Sequence, residues 1–169
     1  MRLPDNLNAM TLPSSPDAQS SPANEEAGTF EVSLTLEEGF RFEVEADAPG
    51  AEGFHIDESP PLGSGKYVTP SRVLASAMAS CLASSFLFCA RKGRVDVRSL
   101  RVTAKGTFVR NARKRLRIGA LHVELFPVVA PGDEARMERC LELFEDFCVV
   151  TQSVRAGIPV VVGVETHQE

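Results

Sequence analysis

The chemically distinctive residues of this 169-residue chain are four cysteines, Cys81, Cys89, Cys140 and Cys148. A thiol can act as nucleophile, redox centre, metal ligand or small hydrophobe, and spacing narrows the choice. None of the four follows the close CxxC spacing of a zinc site, and the chain is too large to depend on disulfide staples, so no metal is expected. Cys81 and Cys89 share one helical run, about 12 Å apart at 1.5 Å rise per residue, too far for a disulfide. The same arithmetic separates Cys140 from Cys148 on a continuous helix, so an intrachain pair has to join two helices. Taken singly, each cysteine reads first as core packing. Other chemistry is sparse: His55, His122 and His167 are scattered, and no local pattern joins one to a thiol. His122, on the polar phase of its strand, is expected to be exposed. The fragment "GSGKY" lacks the upstream glycine and following Ser or Thr of a phosphate-binding loop.

The elements that must position these thiols follow from periodicity. From Phe30, apolar Phe30, Val32, Leu34 and Leu36 alternate with Glu31, Ser33 and Thr35. After turn residues Glu38 and Gly39, Phe40, Phe42 and Val44 alternate with Arg41, Glu43 and Glu45, which predicts a hairpin. "DESPPLGSGKYVTP" reads as loop. "TPSRVLASAMASCLASSFLFCARKG" then predicts one long helix, with Thr69 as N-cap, Pro70 at the first helical position and Gly93 at the far end. Between Arg72 and Arg91 this helix carries no charge, a length that raises the question of a membrane span. Ala and Ser dominate it and amphipathic strands follow at once, so a helix buried on most sides of a soluble protein is expected, with no membrane partner. Ala75, Ala79, Ser80 and Ala83 would let a neighbouring helix approach closely.

Leu100 to Phe108 alternate as a strand. "RLRIGALHVELFPV" alternates too, with a phase change that predicts a bulge near Gly119. From Asp133, the positions Met137, Cys140, Leu141, Phe144, Phe147 and Cys148 form the apolar stripe of an amphipathic helix ending on Cys148. "IPVVVGVE" closes as a strand buried on both faces. The order hairpin, long helix, two strands, shorter helix, last strand is an α+β fold, and its uncharged central helix calls for a second protomer, hence a homodimer.

Residues 1–28, rich in Pro, Ser, Asn and Asp, read as a disordered tail, and 29–169 as the folded domain. With no apolar leader, the cytoplasm is the expected compartment, where resting thiols stay reduced. A net charge of -5 offers no basic face for nucleic acid.

"TPSRVLASAMASCLASSFLFCARKGR" followed by "FEDFCVVTQSVRAGIPV" resembles the paired cysteine motifs of the OsmC/Ohr family, the osmotically induced and organic hydroperoxide resistance proteins. The resemblance extends over about Phe30 to Glu165. Thr69-Pro70 and Cys81 match the family's turn and first cysteine. Cys148-Val149-Val150 stands where the family has a Cys-Pro-Val turn opening a short helix, without the proline. The resemblance implies an OsmC-like fold, an intertwined homodimer and a thiol peroxidase that needs no cofactor. In it Cys81 attacks an organic hydroperoxide, Cys148 resolves the sulfenic acid to a disulfide, and a dithiol or small thiol restores the pair. It assigns the activating arginine to Arg41 in "EEGFRFEV", with Arg155 as fallback. The Ohr branch holds that arginine with a glutamate directly after the turn proline. Here the position is Ser71, and Glu43, Glu45 or Glu58 are candidates for the role.

Local charge adds a conflict at Cys148, which Glu145 and Asp146 would push up in pKa and a helix start would pull down. Cys81, mid-helix, has no helix end of its own to help it. A different class, a non-catalytic redox sensor or apolar-ligand binder on the same fold, is the alternative.

Overall fold

The structure is a computed structural model that describes residues 26–164, so most of the N-terminal tail, and His167, lie outside the described residues. Residues 26–31 form no regular element. The first sheet is antiparallel, with β1 (Val32–Glu38), β2 (Arg41–Ala46) and β3 (Phe54–Ile56) in the order β1-β2-β3. Gly39, at φ 58, takes the left-handed conformation of the turn that pairs Glu38 with Arg41. The alternation expected from Phe30 becomes strand only at Val32, and β3 has too few residues to announce itself by period. Both faces of β1 are open within one chain, where one buried face was expected.

The helix α1 (Pro70–Lys92) has the expected bounds. Proline is tolerated at its start because the first amides have no intrahelical partner, and Arg91 and Lys92 complement the carbonyl end. Thr69 stands at the N-cap in extended backbone, yet its hydroxyl meets Ser71 Oγ at 3.1 Å and accepts from Arg72 at 3.1 Å instead of capping an amide. Beyond Gly93 the chain reverses through Arg94, at φ 53. The buried face of α1 is Met78, Leu82, Ser85, Phe86 and Ala90, an i, i+4, i+7 stripe. Its other side, including Ser76, Ala77, Ser80, Ser84 and Phe88, is exposed. Burial on most sides is therefore not achieved within one chain. By length and composition α1 could cross a membrane, but its stripe of large side chains packs on protein.

That stripe meets a long hairpin, β4 (Val97–Arg110) with β5 (Leu116–Val129). The predicted bulge is present: Thr107 pairs with Ala120 and Phe108 with Ile118, leaving Gly119 as the extra residue. A Cβ there would stand 2.6 Å from Val109 Cγ1, so the close approach requires glycine. His122 is exposed, as expected.

The amphipathic run from Asp133 is not one helix. It divides into α2 (Glu134–Leu141), a 3-10 turn (Phe144–Phe147) and α3 (Val149–Ala156). Cys140, Phe144 and Cys148 are still buried at four-residue spacing, so the stripe survives while the helix breaks. The helix stops at Leu141, and Cys148, with extended backbone (φ -83, ψ 95), separates the 3-10 turn from α3 and starts the latter. The core is built from Leu82, Phe86, Ala90, Val95, Cys140, Phe144 and Cys148, with Phe86 and Phe144 edge to face at 6.0 Å.

The predicted last strand is absent among the described residues. Ile158 to Val164 form no regular element, and Val160, Val161 and Val162 are 83, 96 and 80% exposed. A strand needs a neighbouring edge for its amides and carbonyls, and no described strand of this chain supplies one.

Candidate functional site

Cys148 is the N-cap of α3. An N-cap side chain accepts from the free amides of the first turn, and here sulfur takes the place usually held by oxygen. Thr151 N–H reaches Cys148 Sγ at 3.4 Å, and the Thr151 hydroxyl lies 3.1 Å from the same sulfur. As a thiol, Cys148 donates to that hydroxyl; as a thiolate, it accepts from it. Both residues are buried, Cys148 completely.

Cys81 comes from the middle of α1, half-buried, with its sulfur close enough to that of Cys148 for each thiol to shift the other's titration. The amides of Val150 and Val149 also act on its sulfur. A helix end does serve Cys81 after all, supplied by α3 instead of α1. Both sulfurs thus share one set of first-turn amides, which favour negative charge.

The two thiols titrate in opposite directions. For Cys148, burial works upward but is outweighed, first by the Thr151 hydroxyl, then by the Cys81 thiol, the Thr151 amide and the Arg155 charge. The result lies below the ordinary thiol value of 9.0. For Cys81, burial is the largest effect and works upward, the neighbouring Cys148 thiol adds to it, and the amides of Val150 and Val149 oppose it without prevailing. Of the two opposed effects expected at Cys148, the helix start therefore prevails over the acidic neighbours. Arg155 pairs with Glu145 at 2.7 Å, and the cap dominates the conflict.

Arg41 stands in the first sheet. It bonds Glu37 through Nε at 2.8 Å and lies 3.6 Å from Glu38. Its hydrogen bond to Glu37 raises its own pKa and lowers that of Glu37. His55 Nε2 also lies 3.2 Å from Glu37, and His55 stacks on Tyr67. The acids that hold Arg41 are accordingly Glu37 and Glu38 in place of Glu43, Glu45 or Glu58. Among the described residues Arg41 makes no hydrogen bond to either thiol. Ser71 is occupied with the Thr69 hydroxyl.

A cavity of about 450 Å³ opens beside the pair, walled by Leu74, Met78, Leu82, Leu121 and Val123, with Glu145, Thr151 and Arg155 as polar groups. Neither sulfur lines it, but Thr151 links it to Cys148. Thr151 was missed by sequence reasoning, although a hydroxyl three residues after a residue that starts a helix is a capping spacing. Glu37 was missed because its contact with Arg41 crosses the hairpin turn.

A family profile for OsmC-like protein matches residues 63–163. No curated protein matches. Among solved structures, the chain is similar to an OsmC-like protein of unknown function from Vibrio cholerae at TM-score 0.65 and 19% identity, covering 75% of this chain and 93% of that one. An OsmC-like protein from Mycoplasma pneumoniae is similar at TM-score 0.65 and 14% identity, over 77% of this chain and 89% of that one. An organic hydroperoxide resistance protein from Elizabethkingia anophelis is similar at TM-score 0.58 and 19% identity, over 78% of this chain and 91% of that one. At these identities the structures establish the α+β fold.

Proposed function

Because the chain belongs to the family of OsmC-like proteins, we propose that it is a thiol-dependent peroxidase for organic hydroperoxides, with Cys81 attacking and Cys148 resolving. The observation that carries this reading is the contact of two thiols over the free amides of α3, one half-exposed and one fully buried. The apolar cavity beside them suits an organic body, and a structural relative is named as an organic hydroperoxide resistance protein.

The titration directions support a separate job for each sulfur. The pair loses its first proton as a unit, and the charge rests on Cys148, where Thr151 and Arg155 hold it. Cys148 has no exposed surface, so attack falls to Cys81, whose proton passes to the neighbouring Cys148 sulfur. The Cys81 thiolate attacks the terminal oxygen and the O–O bond breaks. Cys81 becomes a sulfenic acid, and the departing alkoxide takes the proton from Cys148 to leave as alcohol. The Cys148 thiolate then attacks the Cys81 sulfur, forming the disulfide and releasing hydroxide, which leaves as water. A dithiol or small thiol reduces the bond by exchange.

The working form is proposed to be a homodimer. The open faces of β1 and the bare Val160–Val162 segment present apolar surface and unpaired backbone that a second copy can pair and cover. Arg41 would then act on the thiols of the other protomer, while Arg155 acts within the chain.

Stopped-flow consumption of cumene hydroperoxide by the reduced protein tests the reading. Reaction well above the rate of a free thiol is expected, abolished in Cys81→Ser and limited to a single turnover in Cys148→Ser, with a dimedone-trappable sulfenic acid on Cys81. A rate no faster than a free thiol would leave a redox sensor or apolar-ligand binder. A single turnover in Cys81→Ser, with none in Cys148→Ser, would reverse the two roles.

A further inference from the structure

The remaining cysteines are also brought together, by a different pair of helices. Cys89 of α1 is half-exposed and donates to the Cys140 carbonyl at 3.8 Å. Cys140 of α2 is buried, and its thiol donates to the Phe86 carbonyl at 3.6 Å. Each thiol thus spends its proton on a carbonyl, and the two sulfurs lie close enough for Cys89 to push the Cys140 thiol up. An open cleft of about 450 Å³ lies over the pair. Phe88, Leu143 and Phe147 give it apolar walls, with the two phenyl rings edge to face at 5.9 Å. Lys92, Arg136 and Arg139 give it three exposed cations. Arg136 is paired with Asp133, whereas Lys92 lies over the Phe88 ring at 4.6 Å. Among the described residues neither Lys92 nor Arg139 has a carboxylate partner.

We propose that Cys89 and Cys140 are a second redox-active dithiol, whose cleft admits an organic hydroperoxide with an apolar body and an anionic end. Cys89, the reachable sulfur, attacks the peroxide oxygen as thiolate and becomes a sulfenic acid, while the alkoxide leaves as alcohol with a proton from water. The Cys140 sulfur then displaces the sulfenic oxygen, and its own proton leaves with that oxygen as water. The product is a disulfide that ties α1 to α2, and a dithiol reductant reopens it by exchange. Burial, together with the neighbouring Cys89 thiol, keeps Cys140 protonated near neutral pH, so this pair closes more slowly than Cys81 and Cys148. The pair stands apart from the peroxidase reading, since neither sulfur belongs to the site at α3.

The test is a titration of the full-length reduced protein with alkyl hydroperoxide, counting free thiols and mapping disulfides by mass spectrometry. Two thiols should disappear in a fast phase and two more in a slow one, the latter as a Cys89–Cys140 bridge. The slow phase should persist alone in Cys81→Ser/Cys148→Ser, and separately be lost in Cys89→Ser with the fast phase intact. A matched carboxylate-bearing hydroperoxide should drive the slow phase several-fold faster than its neutral ester at low salt, with the advantage lost in Lys92→Ala/Arg139→Ala. A plateau at two remaining thiols, or over-oxidised Cys89 beside a free Cys140, would overturn the dithiol. Equal rates for acid and ester would overturn the assignment of the cleft. Failure of the fast phase alone would refute the reading of Cys81 and Cys148 and leave the second pair standing.

Discussion

Replacing Thr151 by valine keeps the β-branched shape in a buried position and removes the hydroxyl 3.1 Å from Cys148 Sγ. The thiol loses an acceptor it can forgo, whereas the thiolate loses its largest stabilising donor. Hydrogen bonds to charged groups are worth about 1.5–3 kcal/mol. The Thr151 amide and the Cys81 thiol still favour the thiolate, so the lower end applies, and 1.4 kcal/mol corresponds to about tenfold in thiolate population. Stopped-flow peroxide consumption at neutral pH should therefore slow about tenfold, with the pH profile displaced to higher pH. At a pH high enough to ionise the pair in both proteins the variant should rejoin the wild type. Alkylation by iodoacetamide across the same range should report the same displacement. A tenfold loss that persists at high pH would mean that Thr151 acts by packing, and an unchanged profile would mean that the cap does not set the charge of the pair.

Arg155→Gln removes an exposed cation that acts on Cys148 and frees Glu145. Exposed charge pairs are worth about 0.2–1 kcal/mol, so the neutral-pH rate should fall by up to about fivefold and lose its dependence on salt; a salt effect equal to that of the wild type would contradict this. Cys140, raised to about 12, is protonated in the folded chain over a range where the unfolded chain ionises, so its contribution to stability is complete below 9.0 and is lost between 9.0 and about 12. Urea midpoints should fall more steeply in that window for the wild type than for Cys140→Ala, in which Cys81 still contributes, the difference being worth at most about 4 kcal/mol. Gly119→Ala places a methyl against the stiff Val109 side chain and should cost about 1–3 kcal/mol in urea unfolding, whereas a neutral result would mean that the hairpin shifts freely. Light scattering should give twice the chain mass at micromolar concentration, shifted toward the monomer by Val160→Asp/Val162→Asp; a monomeric wild type would refute the dimer.

Periodicity carried most of the element order. The span of α1, the phase change at Gly119 and the buried stripe through Cys140, Phe144 and Cys148 are local patterns, and local patterns are what a period reports. One departure from them turns on the backbone of a single residue. Cys148 leaves helical geometry to cap α3, which converts an expected helix end into a helix start and reverses the electrostatic consequence for its sulfur. The partners of Arg41 and the amides that meet Cys81 are tertiary contacts, and no spacing rule encodes them. The valine run after Pro159 reads as strand by composition, yet composition cannot say which chain supplies the neighbouring edge.

Four thiols of one residue type are thus sorted by where two helices end. Cys148 and Cys140 are both buried, with 0% and 3% of their surface exposed, so burial alone would raise both. Cys148 stands before α3, where unused amides and a hydroxyl point at sulfur. Cys140 lies within α2, where the nearest groups to its thiol are the Phe86 carbonyl and another thiol. The one is therefore drawn toward thiolate and the other held as thiol. Their partners on α1 share a face of the core without sharing a chemistry, since Cys81 meets the charged end of this arrangement and Cys89 the neutral one. Moving the cap would move the reactive pair: in Thr151→Val the difference in rate between the two pairs should narrow, because only the pair at α3 depends on that hydroxyl.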